Sequence, residues 1–329
     1  MPNRPEGRVR AVLCAPIDAA WQDALGARYP DVDLTLFADL ASATAAGAGR
    51  GTHILLTGGG RPADRFLEQA PDLRWIQTFS AGVDGICTPA LAARPDITLT
   101  AARGIHGDQM AEHSLALLLA LTRSLPTFLR QQARREWKRH SLPEVRGRTL
   151  MVVGYGTIGR AIARLGRAVG LSVIGVRRSG EGRPEDVGAG VEVISVDAMD
   201  RRLGDADYVV VTLPLTDETR GMFGAERLGR MRTGAYLINV GRGQVVDEAA
   251  LAAAVVNGPL AGAALDVFAE EPLPPDSPLW DLANVIVTPH VAAASPRYFE
   301  QVMHIFSANL ERFLAGEPLR HVVDVARGY

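Results

Sequence analysis

The chain predicts an α/β protein of two parallel sheets wrapped by helices, and three observations carry that expectation. Short apolar runs rich in Val, Ile and Leu alternate with helix-like segments along its 329 residues, the pattern of parallel strands joined by crossover helices. A GxGxxG motif, Gly154-Tyr155-Gly156-Thr157-Ile158-Gly159, stands between one such run and a helical stretch. The length is about two domains' worth, so the two halves have room for a core each.

Strands are expected over 9–14, 33–37, 53–56, 75–78 and 97–100, with turn residues such as Gly58-Gly59-Gly60 and Gly82 between them. The Ala/Gly-rich stretch 41–49 reads as a loop or short helix. A helix over 109–125 has apolar positions on more than one face, which predicts burial. Residues 130–140 hold Arg134, Arg135, Lys138 and Arg139 and read as a solvated helix face, with a phosphate-binding patch as the alternative. A second series starts at Thr149, with a strand over 149–153 and a helix to about 169. Strands follow over 171–176, 207–212, 235–240, 263–267 and 285–288. A closing helix over 296–314 places Phe299, Val302, Ile305, Phe306 and Leu310 at near-helical spacing.

Composition narrows the function classes. Hydrophobic residues make up 47% and charged residues 22%, with a formal net charge of −2, so no electrostatic argument favours nucleic acid or an anionic membrane. Met1-Pro2-Asn3-Arg4 opens no apolar leader, and no run approaches the ~20 apolar residues of a bilayer span. The expectation is a cytoplasmic protein. Cys14 and Cys87 have no metal-ligand spacing, and no metal is expected; Cys14 lies in the apolar run Val12-Leu13-Cys14-Ala15, which predicts packing rather than reactivity.

The glycine motif between a strand and a helix predicts a dinucleotide site, with a glycine-rich turn that binds nothing as the alternative. Gly154 permits the tight turn, Gly156 lets backbone approach a pyrophosphate, and Gly159 allows helix and strand to pack closely. The N–H groups around Thr157 and Ile158 at the helix start would meet the negative charge. Twenty-three residues after Gly154, where a fold preferring NAD(H) places Asp or Glu for the ribose 2′-hydroxyl, stands Arg177, followed by Arg178 and Ser179. These side chains can hold a 2′-phosphate, which favours NADP(H), with NAD(H) the alternative.

Three further segments end apolar strands of the second series: Asn239-Val240-Gly241-Arg242, Leu265-Asp266-Val267-Phe268-Ala269-Glu270-Glu271-Pro272 and Thr288-Pro289-His290. Open α/β sheets bind ligands at the carboxyl ends of their strands. Arg242, Glu271 and His290 are therefore the candidate catalytic set. Singly each has a bland reading as surface charge, loop carboxylate or satisfied histidine; together, behind a dinucleotide motif, they point to one site.

These segments, with Ser80-Ala81-Gly82-Val83-Asp84, Ala111-Glu112-His113, Leu213-Pro214-Leu215-Thr216 and the run 239–251, resemble the D-isomer-specific 2-hydroxyacid dehydrogenases over nearly the whole chain. Val176-Arg177-Arg178-Ser179 and the short C-terminus are most similar to the glyoxylate/hydroxypyruvate reductase-type members. The resemblance implies hydride transfer between NAD(P)H and C2 of a small 2-oxo acid, giving a D-2-hydroxy acid. It implies that Arg242 clamps the substrate and polarises its carbonyl, and that His290 donates the proton. Glu271, immediately before Pro272, would orient the imidazole and stabilise its charged form, with Glu270 the neighbouring candidate. Ala81 and Gly82 would offer N–H groups to the substrate carboxylate, Asp266 would hold the nicotinamide carboxamide, and Leu213, Pro214 and Val240 would line the cofactor cleft. Ala293 and Ala294 depart from the glycines many members carry after the histidine, a change expected to reshape the nicotinamide pocket.

The resemblance also implies an architecture. Residues 1–102 and 296–329 would form a flavodoxin-like substrate-binding domain, and residues 103–295 an inserted NAD(P)-binding Rossmann domain. Homodimerisation through the nucleotide domain is expected, with the 109–125 helix as a contributor. The rival readings are a non-catalytic, dinucleotide-sensing corepressor-like protein, and a dehydrogenase of the same fold for phosphoglycerate or phosphite.

Overall fold

A computed structural model of the chain describes residues 7–15, 19–58, 63–83 and 85–328. Met1-Pro2-Asn3-Arg4, Gly59, Gly60 and Asp84, named above for the leader, a turn and a motif, lie outside the described residues. The chain divides into two compact units, Met1–Ile105 with Pro296–Tyr329, and His106–Ser295.

The first unit holds a sheet of β1 (Val9–Cys14), β2 (Val32–Phe37), β3 (Ile54–Thr57), β4 (Trp75–Thr78) and β5 (Thr98–Thr100). All neighbours pair in parallel in the order β2-β1-β3-β4-β5, the doubly wound order of flavodoxin-like folds. β3 and β4 are buried at every residue, so both strands read as short runs without polar alternation. The closing helix Tyr298–Leu314 returns to this unit because its apolar stripe has a partner there. Phe306 and Phe313 stack on Trp75 at centroid distances of 5.3 and 5.7 Å, and the Trp75 indole N–H donates to Thr100 Oγ1 at 2.8 Å, so the buried indole has its acceptor.

The second unit holds β6 (Thr149–Val153), β7 (Ser172–Val176), β8 (Glu192–Ile194), β9 (Tyr208–Val211), β10 (Ala235–Asn239), β11 (Leu260–Leu265) and β12 (Val285–Val287). They pair in parallel in the order β12-β11-β10-β9-β6-β7-β8. Counted from β6, this is the Rossmann order with one further strand beyond it. Strand order reverses between β6 and β9, and the carboxyl ends on either side of that point are where such sheets bind dinucleotides. Helix Gly107–Thr122 packs on helix Thr157–Ala168 through buried Met110, Ala111, Ala161 and Ile162.

Some boundaries differ from expectation for identifiable reasons. The helix expected over 109–125 ends at Thr122; Ser124 adopts a left-handed φ of 53°, and a separate helix, Leu125–Ala133, begins with Pro126 in its first turn. That second helix stops at Ala133, so the basic residues 134–140 continue without helix. β11 starts at Leu260, earlier than expected, because Ala261-Gly262-Ala263 is an inconspicuous small-residue strand. Stretch 41–49 does contain a short helix, Leu40–Ala45, capped by Asp39. Among the described residues, no helix is long and apolar enough to cross a membrane.

Candidate active site

β6 delivers the glycine motif to the sheet edge. Gly154 has φ 104°, and a Cβ there would sit 2.6 Å from Thr212 Oγ1. That hydroxyl donates to the Gly154 carbonyl at 2.7 Å, tying the turn to the end of β9. A Cβ on Gly159 would lie 2.5 Å from the Gly154 carbonyl oxygen, so only glycine lets the helix sit this close to its strand. Gly156 is different: a Cβ there would meet nothing within 4 Å. It caps helix Thr157–Ala168 without any side-chain hydrogen bond. The motif thus leaves open space in front of a helix start whose first N–H groups have no intrahelical acceptor. This is a cradle with room for a pyrophosphate, and the residues present fit a dinucleotide.

At the end of β7, Arg177 follows Val176 directly, and its guanidinium donates to the Glu181 carbonyl at 3.1 Å. Arg178 pairs with Glu218 at 3.4 Å across exposed surface, and Ser179 Oγ accepts from the Glu181 N–H at 3.4 Å. The loop that follows is anchored by Asp186, buried and bound in two parallel 2.8 Å hydrogen bonds from Arg160, the residue after Gly159. The Arg160 pairing holds the Asp186 carboxyl well below the usual carboxylate range.

The loops after β9, β10 and β11 interlock through glycines. A Cβ on Gly241 would come 2.8 Å from the Leu213 carbonyl oxygen, and one on Gly243 would come 1.8 Å from the Phe268 carbonyl carbon. Arg242, half-buried between these two contacts, donates to the Gly241 carbonyl at 2.8 Å. Asn239 accepts from the Gly241 N–H and donates to the Arg242 carbonyl, so the arginine's backbone is pinned on both sides. Leu213 is half-buried and Pro214 exposed beside this loop, whereas the Val240 side chain is buried in the core.

After β11 and β12 come the two titratable side chains that the structure brings into direct contact. His290 Nδ1 lies 2.7 Å from Glu271 Oε2. The other carboxylate oxygen of Glu271 accepts the Phe268 N–H at 2.9 Å. Of the two adjacent acids, Glu271 is the one that meets the imidazole. His290 itself has φ 53°, a left-handed conformation that costs a non-glycine residue about 1–3 kcal/mol and persists only where surroundings over-determine it.

Asp266 supplies much of that determination. It is 1% exposed. Its Oδ1 accepts from Thr288 Oγ1 at 2.6 Å and the Val291 N–H at 2.9 Å, its Oδ2 accepts from the Ala292 N–H at 2.9 Å, and its carbonyl accepts from the His290 N–H at 2.8 Å. The family resemblance implies a nicotinamide carboxamide as a partner of this carboxylate; three of its hydrogen bonds in the structure hold the His290 loop. Thr288 and the Phe268 N–H join the site through loop geometry, which no sequence motif marks.

In the first unit, Ala81 and Gly82 stand half-exposed beyond the end of β4. The turn is closed by Ser80 Oγ donating to the Gly82 carbonyl at 2.5 Å.

Fold and site define a dinucleotide-binding oxidoreductase with a histidine–carboxylate pair at the strand ends of its Rossmann sheet. The chain belongs to the D-isomer specific 2-hydroxyacid dehydrogenase family, whose NAD-binding domain matches residues 115–292. It is 36% identical over 260 residues to a glyoxylate reductase of Korarchaeum cryptofilum, covering 76% of each chain. A family protein from Aeromonas salmonicida has a solved structure that superposes with a TM-score of 0.84 at 37% identity, over 97% of this chain and 100% of that one. An NADPH-dependent glyoxylate/hydroxypyruvate reductase from Sinorhizobium meliloti, solved with NADP and sulfate, superposes with a TM-score of 0.83 at 32% identity, over 98% of this chain and 100% of that one. The protein is an NAD(P)-dependent 2-hydroxyacid dehydrogenase, similar to glyoxylate/hydroxypyruvate reductases.

Proposed function

We propose that the enzyme reduces a small 2-oxo acid of the glyoxylate/hydroxypyruvate class to its D-2-hydroxy acid, with NADPH preferred over NADH. The observation that carries this reading is the 2.7 Å contact between His290 Nδ1 and Glu271 Oε2 on the sheet edge that also holds the glycine cradle. With Nδ1–H committed to a carboxylate, Nε2 is the ring nitrogen left to carry a proton to or from substrate.

The bound reduced nicotinamide would supply the hydride that adds to C2. Gly154, Gly156, Thr157, Ile158 and Gly159 would hold its pyrophosphate, and Leu213 and Pro214 would line the adjoining wall. Val240, with its side chain buried, would contribute through its backbone. Asp266 has acceptor capacity left on Oδ2 for the carboxamide, besides its bonds to the His290 loop. The preference for NADPH rests on Arg177, Arg178 and Ser179 at the end of β7, with Arg177 where a carboxylate would otherwise meet the ribose.

Arg242 would bind the substrate carboxylate through its planar guanidinium and stabilise the negative charge growing on the carbonyl oxygen. Ala81 and Gly82 would offer backbone N–H groups to the same carboxylate. His290 would deliver its Nε2 proton to the oxygen as that charge develops, and Glu271, steadied by the Phe268 N–H, would keep the ring aligned and compensate its charge. A homodimer is proposed as the working form: Leu129 and Trp137 are 64% and 93% exposed, apolar surface that a second copy would cover.

A panel of 2-oxo acids including glyoxylate, hydroxypyruvate and phenylpyruvate, each assayed with NADPH and NADH, tests the reading. Turnover of the small acids with higher kcat/KM for NADPH is expected. A clear NADH preference would overturn the cofactor assignment, and preference for phenylpyruvate the substrate class.

A further inference from the structure

We propose that His113 is a positioning residue for the acid–base histidine, acting through Thr288 and Asp266. The proposal rests on the reading of His290 as the proton carrier. His113 lies on helix Gly107–Thr122, and its Nε2 is 3.2 Å from Thr288 Oγ1 and 3.5 Å from Asp266 Oδ1. Proton counting sets the direction of this relay. Asp266 is an acceptor on both oxygens, and the Thr288 hydroxyl, 2.6 Å from Oδ1, has one proton, which it gives to that carboxylate. The Thr288 oxygen is then left to accept, so His113 donates from Nε2.

The consequence falls on His290. Residues 288, 290, 291 and 292 are all hydrogen-bonded to Asp266, by side chain or carbonyl, and the left-handed His290 sits in the middle of that span. Those bonds tie the loop to the end of the neighbouring strand, β11, and a tie to the helices has to come from outside the sheet. His113 brings that tie from a helix packed against the glycine-motif helix, which couples the loop to the rigid body of the domain. A conformation opposed by its own backbone energy is sensitive to the loss of one such bond, and a small misplacement of an acid–base group lowers the rate while substrate still binds.

The test uses the full chain and four variants: His113→Leu, His113→Gln, Thr288→Val and the double variant His113→Leu/Thr288→Val. His113→Leu is expected to lower kcat about tenfold with KM for the 2-oxo acid within about twofold, the split that marks positioning rather than binding. His113→Gln, which keeps an N–H donor of similar reach, is expected to restore most of the rate. Adding His113→Leu to Thr288→Val is expected to change kcat by less than about twofold, because the relay is already cut. In the cofactor-free protein, the imidazole NMR signals of His290, assigned by their loss in His290→Ala, are expected to shift in His113→Leu and to return in His113→Gln. An unchanged kcat in His113→Leu, equal losses in the wild-type and Thr288→Val backgrounds, or His290 signals indifferent to His113 would each overturn the proposal. A fully active His290→Ala enzyme would instead remove the proton-carrier reading itself, and the proposal with it.

Discussion

Glu271 reaches His290 across 19 residues of sequence because β11 and β12 are parallel neighbours whose loops leave the same edge of the sheet. The carboxylate is fixed from behind by the Phe268 N–H, and the histidine backbone by Asp266. Each partner of the pair is therefore held independently of the other. That arrangement holds the ring in line with the carboxylate.

Arg242 is pinned by Asn239 and by glycines on both sides, which fixes its backbone but not its chemistry. Arg242→Ala should lower kcat/KM for the 2-oxo acid by ~10²–10³, the usual cost of one preorganised donor to a developing oxyanion. Arg242→Lys should recover little, since an ammonium cannot reproduce two parallel N–H bonds to a carboxylate. Steady-state kinetics on both variants check this, and an Arg242→Ala enzyme with wild-type kcat/KM would remove the arginine from its role.

Arg177 should set the cofactor. Charge-assisted hydrogen bonds contribute about 1.5–3 kcal/mol each, so Arg177→Asp should reduce kcat/KM with NADPH by roughly 10–100-fold and raise it with NADH. Equal losses with both cofactors would show that the residue does not read the 2′ position.

The two glycines Gly156 and Gly243 make opposite predictions. A methyl at Gly156 meets no protein atom, so Gly156→Ala should leave Tm unchanged while weakening dinucleotide binding, read by NADPH fluorescence titration. A methyl at Gly243 lands 1.8 Å from backbone that cannot step aside, so Gly243→Ala should lower Tm by several degrees, as overpacking does. Unimpaired binding by Gly156→Ala would mean that no phosphate sits in the cradle.

Asp186 links the fold to pH. Its folded-state carboxyl is held below the usual range, chiefly by Arg160, so the pair adds stability above the unfolded carboxylate's ordinary value of about 3.9. That contribution is fully present at pH 7 and is lost as pH falls below about 4 toward the folded-state value. The Tm difference between wild type and Asp186→Asn should therefore be largest near neutrality and shrink on acidification from pH 5 to pH 3. A difference that grows in acid would contradict the linkage.

How much of this was legible beforehand follows from the range of each signal. β1, β4 and β6 could be read because their apolar runs are bounded by turn residues and filled by buried side chains. β8 escaped because Glu192–Ile194 is three residues long with an exposed first position, too short for a period to register. The helix break at Ser124 carried a readable sign, Pro126, that the apolar pattern around it outweighed. Arg242, Glu271 and His290 were visible as charges where strands give out. The contact of His113 with Thr288 was not, since it spans 175 residues and depends on which face of a buried helix meets a loop. Nor could the engagement of Asp266 by its own loop be read, because main-chain donors leave no mark in side-chain identity.

The most direct test of the account is the single-turnover rate of NADPH oxidation at saturating glyoxylate or hydroxypyruvate, measured for wild type and His290→Ala side by side. With His290 as the proton donor, the variant should bind NADPH normally and lose ~10²–10⁴ in rate, the range expected of general acid–base catalysis. Glu271→Gln should lose less, because the ring remains and only its orienting charge is gone. A His290→Ala enzyme that turns over at the wild-type rate would contradict the account.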